Sequence, residues 1–343
     1  MSVTRDFAND SQGRFAPGGV GSTTAALRGG HIPGLPGAPA FRGRMADAAA
    51  MPVVLAAPHG GRSYPGDVLA ALRAPEHVLL RLEDRLIDRL TDAVAHETGA
   101  PFLVAEAPRA MIDLNRAGED IDWDMVADGP RPDQRHDLHR STTRHGTLLS
   151  TSHSVHRARN GLGLVPRRLP GVGELWRGRL RYDDLRQRIS GIHQPYHATL
   201  GQMLAAVQAQ WGAALLIDLH SMPPLPGNGG PPPQMVIGDR FGTACDGELI
   251  AAMFAHLSAA RCPFAHNRPY AGGFVLDHHA RRSDGIHAVQ IEIDRTAYLD
   301  AGLANPGPGF DAVVALLVAM VRQMAGHVAD LGRDRLRWRT AAE

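Results

Sequence analysis

The sequence has few cysteines, few aromatic residues and no excess of charge of either sign. Its 343 residues include two cysteines, Cys245 and Cys262, which cannot build a disulfide framework and lack the CxxC spacing of a zinc or redox motif. Lys and Arg number 36 against 35 Asp and Glu, so we expect neither nucleic acid nor an anionic membrane surface as a partner. No uninterrupted apolar stretch approaches the roughly 18 residues that span a bilayer, and Met1 to Leu27 lacks an apolar signal region. These absences predict a soluble, cytoplasmic protein.

The first 50 residues differ in composition from the rest of the chain. Gly, Pro, Ser, Thr and Ala dominate there, with no sustained apolar period. Such a segment cannot bury enough surface to offset the entropy lost on ordering. We therefore predict a flexible or loosely packed extension over residues 1–50 and a single folded domain over residues 51–335.

Short apolar runs alternate with amphipathic segments after residue 51. Runs typical of strands lie at 52–57, 102–107, 110–114, 213–221, 235–238 and 288–293. Helices are predicted at 76–97, 182–211, 243–259 and 310–331, with a break or kink near Gly191 and Pro195, and residues 117–178 read as a long connection. Alternation of apolar strands with helices predicts an α/β domain with a mostly parallel or mixed central sheet flanked by helices.

Three of these strands end in polar residues. His59 follows the first strand, His220 lies at the end of the run 213–221, and Glu292 lies in the run 288–293. In open α/β sheets, ligands bind beyond the carboxyl ends of the strands. A lone histidine there is more often structural, but two histidines and a carboxylate together suit a catalytic zinc site with three protein ligands and a position open for water.

A basic group surrounds the predicted strand 110–114. Arg109 and Arg116 flank this segment, which places Asp113 and Asn115 at alternate positions. Because arginine binds carboxylates in a bidentate manner, the pair can hold an acidic substrate. Surface ion pairing with nearby acidic residues is an equally good interpretation.

Other enzyme classes lack their motifs in this chain. There is no GxSxG, so Ser221 does not occupy the nucleophile elbow of a serine hydrolase. The segment HGGRSYPG has neither the GxxxxGK[ST] spacing nor the GxGxxG spacing. The sequence therefore does not indicate ATP, GTP or NAD as a ligand.

Eight short motifs, in order along the chain, resemble the N-formylglutamate amidohydrolase family. They are PHGGRSYP, EDRLIDRL, PRAMIDLNR, GLGLVPR, PYHATL, LLIDLHS, RPYAGGF and HAVQIEIDRTAYLD, and they cover about residues 52–300. The resemblance implies a catalytic domain with a phosphorylase/hydrolase-like fold related to the zinc carboxypeptidases. It also implies Zn²⁺ as cofactor and hydrolysis of N-formyl-L-glutamate to formate and L-glutamate in histidine degradation.

The resemblance also assigns roles to single residues. It makes His59 and His220 metal ligands and Glu292 the general base. The substrate-carboxylate clamp comprises Arg109, Asn115 and Arg116. Apart from the resemblance, His197, Tyr270 and the loop at 272–273 are second-rank candidates for substrate or transition-state contacts, and a packed aromatic is an equally good interpretation of Tyr270. In one respect the chain departs from the related carboxypeptidases, which take a glutamate ligand three residues after the first histidine. Arg62 stands at that position here, so the third ligand must come from elsewhere.

Glu83 and Asp84 are the candidates for the third ligand. A helical projection at about 100° per residue puts Glu83 in the middle of the apolar face of the predicted helix 76–97 and Asp84 at its border. A carboxylate on an apolar face needs a partner such as a cation, which favours Glu83. The family pattern instead keeps an aspartate four residues before Asp88, and on that ground we predict Asp84.

The sequence leaves alternative functions open. The expected substrate is a small acidic N-acyl amino acid, but an amidohydrolase of another N-acyl amino acid or of a small peptide would have the same metal site. An inactive, family-like binding protein would be expected to have lost His59, His220 or Glu292, and all three are present. The sequence predicts no particular oligomeric state.

Overall fold

A mixed β-sheet of eight strands forms the centre of the part of the chain that the computed structural model describes, residues 24–129, 161–227 and 229–342. Its strand order is β1-β2-β4-β3-β7-β10-β8-β9. The strands are β1 (Thr24–Gly29), β2 (Phe41–Ala46), β3 (Val53–Ala57), β4 (Phe102–Ala105), β7 (Ala214–Met222), β8 (Met235–Gly238), β9 (Phe264–His266) and β10 (Ile286–Asp294). A separate two-stranded sheet pairs β5 (Arg168–Leu169) with β6 (Gly173–Glu174).

The central strands are parallel and the flanking ones are mixed. β3 pairs in parallel with β4 and β7, and β7 pairs in parallel with β10. β2 is antiparallel to β1 and β4, and β8 is antiparallel to β10 but parallel to β9. Every residue of β3, β7 and β10 is buried, as expected for apolar runs covered on both faces. The predicted α/β domain with a mixed sheet is confirmed.

Helices cover both faces of the sheet. They are α1 (Gly66–Ala70), α2 (Ile87–Thr98), α3 (Tyr182–Arg188), α4 (Gln194–Trp211), α5 (Gly247–Ala259), α6 (Phe274–His279) and α7 (Phe310–Ala342). One hydrophobic core joins α2, α5 and α7 to one face, and a second joins α3, α4 and α6 to the other. The second face is the one that carries the polar strand ends.

The predicted helix over residues 76–97 is wrong in its extent. A 3₁₀ turn covers Glu76–Arg81, the chain then leaves helical geometry, and α2 begins only at Ile87. Leu86, just before α2, has a left-handed backbone with φ of 57°, and the backbone N–H of Asp84 donates to the carbonyl of His59 at 3.1 Å. This long-range contact overrides the local helical preference, so the projection of Glu83 and Asp84 on one helix does not apply.

Other boundaries also differ from the prediction. Residues 110–114 form a turn and not a strand, because the Met111 N–H donates to the Pro108 carbonyl. Where a break or kink was predicted near Gly191 and Pro195, the helical backbone continues from α3 to α4 through a π-helical turn at Ile189–His193. α5 begins at Gly247, where Asp246 caps it, and α7 continues past residue 331. Residues 130–160 of the predicted long connection lie outside the described residues.

The N-terminal segment joins the sheet as far as it is described. Residues 1–23 of the predicted extension lie outside the described residues, but residues 24–46 supply β1 and β2. β2 pairs with β4, and the buried Phe41 ring contacts Tyr196 edge to face at 5.8 Å between centroids. The expectation of loose packing is therefore wrong for residues 24–46, because strand pairing and this aromatic contact offset their ordering entropy.

The closing helix is long and apolar enough, by length and composition, to cross a membrane over Phe310–Trp338. The sequence analysis predicted this helix over 310–331 but did not expect it to meet the length and composition of a membrane span. One side of this helix is buried in the protein core, through Leu317, Met320, Val321, Met324 and Val328. Core helices pass the same length and composition test, and this burial is what a core helix requires.

Replacing Phe41 tests whether β2 is part of the folded core. Phe41→Ala should lower the free energy of unfolding by about 3–5 kcal/mol, the usual cost of truncating a buried phenylalanine. The measurement is the shift of the chemical denaturation midpoint. Phe241→Ala is the matched control, because the side chain of Phe241 is 67% exposed. Equal midpoints for the two variants would show that the segment is loosely packed.

Candidate active site

Polar side chains occupy the carboxyl-terminal half of one face of β7 and β10. Alternate residues of a strand point to the same face, and on this face both strands begin with apolar residues and continue with polar ones, before Met222 ends β7. The polar residues on this face are all buried: Asp218 and His220 on β7, and Gln290, Glu292 and Asp294 on β10. The parallel register places Gln290 beside Asp218 and Glu292 beside His220.

His59 and Asp84 meet His220 at this edge of the sheet. The three residues each offer a ligand atom, and these atoms all lie within 4.8 Å of one another. Asp84 Oδ2 lies 3.0 Å from His220 Nδ1 and 3.4 Å from His59 Nδ1. Gly61 lets the chain after His59 pass close to Ala107, since a Cβ there would overlap the carbonyl of Ala107.

A buried carboxylate holds each histidine from behind. His59 Nε2 lies 2.7 Å from Asp113 Oδ1, and His220 Nε2 lies 2.8 Å from Asp218 Oδ2. These contacts orient both rings with Nδ1 toward Asp84, and His59 Nδ1 has no hydrogen-bond partner among the described residues. Histidine ligands of metals characteristically donate their other ring N–H to a carboxylate in this way. The donor set of two imidazole nitrogens and one carboxylate oxygen therefore fits a metal ion.

Burial and neighbouring charges shift the pKa values of the site. Burial would raise the pKa of Asp84, but the neighbouring imidazole groups of His220 and His59 hold it well below its usual value. Burial would lower the pKa of His220, and the carboxylates of Asp218 and Asp84 raise it well above its usual value. Burial raises the pKa of Glu292 to about 7, with His220 opposing the shift. A buried acid near neutrality is a candidate general base.

The break before α2 separates Asp84 from Glu83. Asp84 Oδ1 lies 3.4 Å from Ser221 Oγ and 3.5 Å from Arg295 Nη2. Glu83 instead accepts a hydrogen bond from the Tyr64 hydroxyl at 2.9 Å and pairs with Arg85. Geometry thus brings Asp84, not Glu83, to the two histidines.

The three predicted clamp residues lie beside the histidines but already have protein partners. Arg109 contacts Asp113 Oδ2 through Nε and Nη2, both at 2.9 Å. Asn115 Nδ2 donates to Gln290 Oε1 at 3.2 Å, and Arg116 donates to the carbonyls of Leu162 and Asn115. The positive charge of Arg109 opposes the rise in the pKa of Glu292, so Arg109 acts on the same site. Their role in substrate binding stays a prediction.

The remaining predicted residues fall in different places. Arg62, at the position where carboxypeptidases have a ligand, forms a bidentate ion pair with Asp88 at 2.8 and 2.7 Å. His197 lies in a separate buried histidine cluster, with its Nδ1 3.1 Å from His279 Nε2. Burial raises the pKa of Tyr270, and Glu292 raises it further, so Tyr270 is near the candidate base.

Sequence reasoning gave no role to four residues of the site. Asp218 precedes His220 by two residues and Gln290 precedes Glu292 by two, so strand periodicity could have placed both on the site face. Asp113 and Arg295 carried no comparable signal. The contacts of Asp113 and Arg295 depend on how distant loops meet.

The fold and the site together define a hydrolase of the mixed α/β type, in which a possible metal site adjoins a buried glutamate. The model of the family described as N-formylglutamate amidohydrolase matches residues 51–299. The chain belongs to this family, and the resemblance inferred from its motifs is confirmed.

Two relatives of this chain are named N-formylglutamate deformylase. It is 30% identical over 257 residues to the N-formylglutamate deformylase of Pseudomonas aeruginosa, covering 73% of this chain and 83% of that protein. Identity to the N-formylglutamate deformylase of Pseudomonas putida is 27% over 258 residues, covering 73% and 82%.

Solved structures share the fold. The crystal structure of N-formylglutamate amidohydrolase from Ralstonia eutropha is similar with a TM-score of 0.69 at 28% identity, covering 82% of this chain and 95% of that one. A gene product of Agrobacterium tumefaciens matches with a TM-score of 0.57 at 18% identity, covering 82% and 92%. The second likeness concerns the fold alone.

Comparing Asp84→Asn with Glu83→Gln tests the third ligand. Loss of a true carboxylate ligand should weaken zinc binding more than roughly a hundredfold, beyond the 10–100-fold typical of losing a group behind a ligand. Competition with a chromogenic chelator measures the affinity. We expect the large loss in Asp84→Asn only. A large loss in Glu83→Gln with normal affinity in Asp84→Asn would make Glu83 the ligand.

Proposed function

We propose that the protein is a zinc-dependent amidohydrolase that cleaves N-formyl-L-glutamate to formate and L-glutamate. The observation that carries this proposal is the orientation of His59 and His220, whose Nδ1 atoms both face Asp84 while carboxylates hold their Nε2 atoms. The names of the Pseudomonas relatives support the substrate. A cytoplasmic location and a place in histidine degradation belong to the same proposal.

His59, Asp84 and His220 would hold the zinc ion. Three protein ligands of the nitrogen and oxygen type suit catalytic zinc, which keeps a further position for water. Zinc bound there supplies an acidified water molecule and polarises the formyl oxygen. Asp113 and Asp218 keep the two imidazole rings oriented, and their negative charge increases the basicity of the rings as ligands.

Glu292 performs the proton transfers. Its carboxylate accepts a proton from the attacking water as the water oxygen bonds to the formyl carbon. It then delivers this proton to the amine nitrogen of glutamate as the C–N bond breaks. A pKa raised to about 7 by burial suits both steps, since the group can accept and release a proton near neutral pH.

Arg109 and Arg116 receive the carboxylates of the substrate. N-formyl-L-glutamate carries two carboxylates, and both guanidinium groups lie near Asp113, whose own pKa they help to lower. Arginine at such a site orients the substrate as well as binding it. Asn115 was predicted to belong to the same clamp.

Glu292→Gln tests the general base. The substitution is nearly isosteric, so the fold and zinc content should be retained while kcat falls by roughly a hundredfold or more, the usual scale for losing a general base. Steady-state kinetics with N-formyl-L-glutamate and metal analysis provide the readouts. Turnover within about twofold of the parent would make Glu292 a structural residue.

A substrate panel tests the activity itself. The zinc-loaded protein should hydrolyse N-formyl-L-glutamate with a higher kcat/KM than N-acetyl-L-glutamate or N-formyl-L-alanine. Arg116→Lys keeps the charge but removes the bidentate fork, so kcat/KM for the dicarboxylate should fall about ten- to hundredfold and less for N-formyl-L-alanine. Arg89→Lys, at an exposed position on α2, is the control. A preference of the parent protein for neutral or larger N-acyl substrates would contradict the assigned substrate.

A further inference from the structure

Gln290 is a buried amide beside the proposed general base. It lies two residues before Glu292 on β10, on the same face, and is 3% exposed. Its Nε2 donates to Glu292 Oε1 at 2.8 Å, and its Oε1 accepts from Asn115 Nδ2 at 3.2 Å. Both ends of this amide are therefore engaged, one of them with the base.

A backbone N–H fixes the direction of this hydrogen-bond chain. The N–H of Val275 can only donate, and it donates to Asn115 Oδ1 at 3.0 Å. The Asn115 amide must then turn its Nδ2 toward Gln290, and Gln290 must turn its Oε1 toward Asn115. Gln290 is left with its Nε2 facing Glu292. No alternative flip of either amide satisfies all three contacts.

Asn115 also contacts the histidine-orienting carboxylate and a glycine loop. Its backbone N–H donates at 2.8 Å to Asp113 Oδ1, the atom that lies 2.7 Å from His59 Nε2. A Cβ on Gly273 would lie 2.5 Å from Asn115 Oδ1, so this close approach requires glycine. One residue thus links the loop before α6, the His59 side of the site and the base.

We infer that Asn115 and Gln290 form an amide relay that positions Glu292, so that both are positioning residues and Asn115 is not part of the substrate clamp. Gln290 holds Oε1 of Glu292, and Oε2 is the oxygen that accepts the proton of the attacking water. This inference rests on the proposed role of Glu292 in amide hydrolysis. It adds two residues whose contribution is to the orientation of the base.

The relay and the clamp predict different kinetics for Asn115. If Asn115 binds the substrate in both ground state and transition state, its loss raises KM and leaves kcat unchanged. If it orients Glu292, its loss lowers kcat and leaves KM unchanged. The clamp interpretation does not include Gln290, so a lowered kcat with unchanged KM in a Gln290 variant would support the relay.

The experiment measures kcat and KM of the zinc-loaded full-length protein with N-formyl-L-glutamate for three variants: Gln290→Met, Asn115→Ala and the double variant. Methionine has a length close to that of glutamine and removes both amide hydrogen bonds. We expect each single variant to lower kcat about ten- to hundredfold with KM within about twofold, the scale of losing a supporting group behind a catalytic residue. The double variant should be no slower than the slower single variant, because the residues act as one chain.

Zinc content and thermal unfolding of each variant accompany the kinetics. The matched control is Gln210→Met, which also removes two glutamine hydrogen bonds, those to the backbone of Ala49 at 2.8 and 2.9 Å, but lies on α4 away from the site. It should keep the parent kcat. If Gln290→Met does not fold, the effects of Asn115→Ala on kcat and KM decide between the relay and the clamp.

These outcomes distinguish a failure of the relay from a failure of the proposed function. Parent activity with kcat of Gln290→Met within about twofold would overturn the relay and leave the amidohydrolase proposal intact. A raised KM with unchanged kcat in Asn115→Ala would restore Asn115 to the clamp. A parent protein that hydrolyses no N-acyl amino acid would overturn the proposed function, and the relay with it.

Discussion

The arrangement of the site depends on the presence of several buried carboxylates around two histidines. Asp84, Asp113, Asp218 and Glu292 are all buried at the ends of central strands or the loops beside them. Removing so many like charges from water is unfavourable unless positive charge is supplied nearby. Guanidinium groups supply part of it at Asp113 and Asp84. The remaining demand, centred between His59, Asp84 and His220, is what a divalent cation would meet.

The sheet makes this concentration of charge tolerable. β3, β7 and β10 are buried along their whole length, and two hydrophobic cores cover their faces. The stability contributed by these cores allows the carboxyl-terminal ends of the strands to carry polar residues that would be unfavourable elsewhere. The parallel register then fixes His220 beside Glu292 without help from a loop. Loops add His59, Asp84 and Asp113, which is why their positions depend on backbone contacts such as that between Asp84 and His59.

The sequence predicted the features that depend on residues close together in the chain. Continuous apolar runs identified β3, β7 and β10, and polar residues at their ends identified His59, His220 and Glu292. It failed where distant contacts override local preference, as in the helix break at Leu86 and the pairing of β2 with β4. The partners of Asn115 lie 160 and 175 residues away, so no spacing rule could have revealed them. The helical projection favoured Glu83 for the same reason, because it assumed a continuous helix.

The proposed function depends most directly on which atoms bind the metal. Anomalous diffraction at the zinc edge from crystals of the zinc-loaded protein would locate the ion. We predict one ion per chain at about 2.0–2.2 Å from Nδ1 of His59, Nδ1 of His220 and a carboxylate oxygen of Asp84, with Asp113 and Asp218 hydrogen-bonded to the Nε2 atoms. An ion bound through either Nε2 atom, or an ion elsewhere with this group empty, would contradict it.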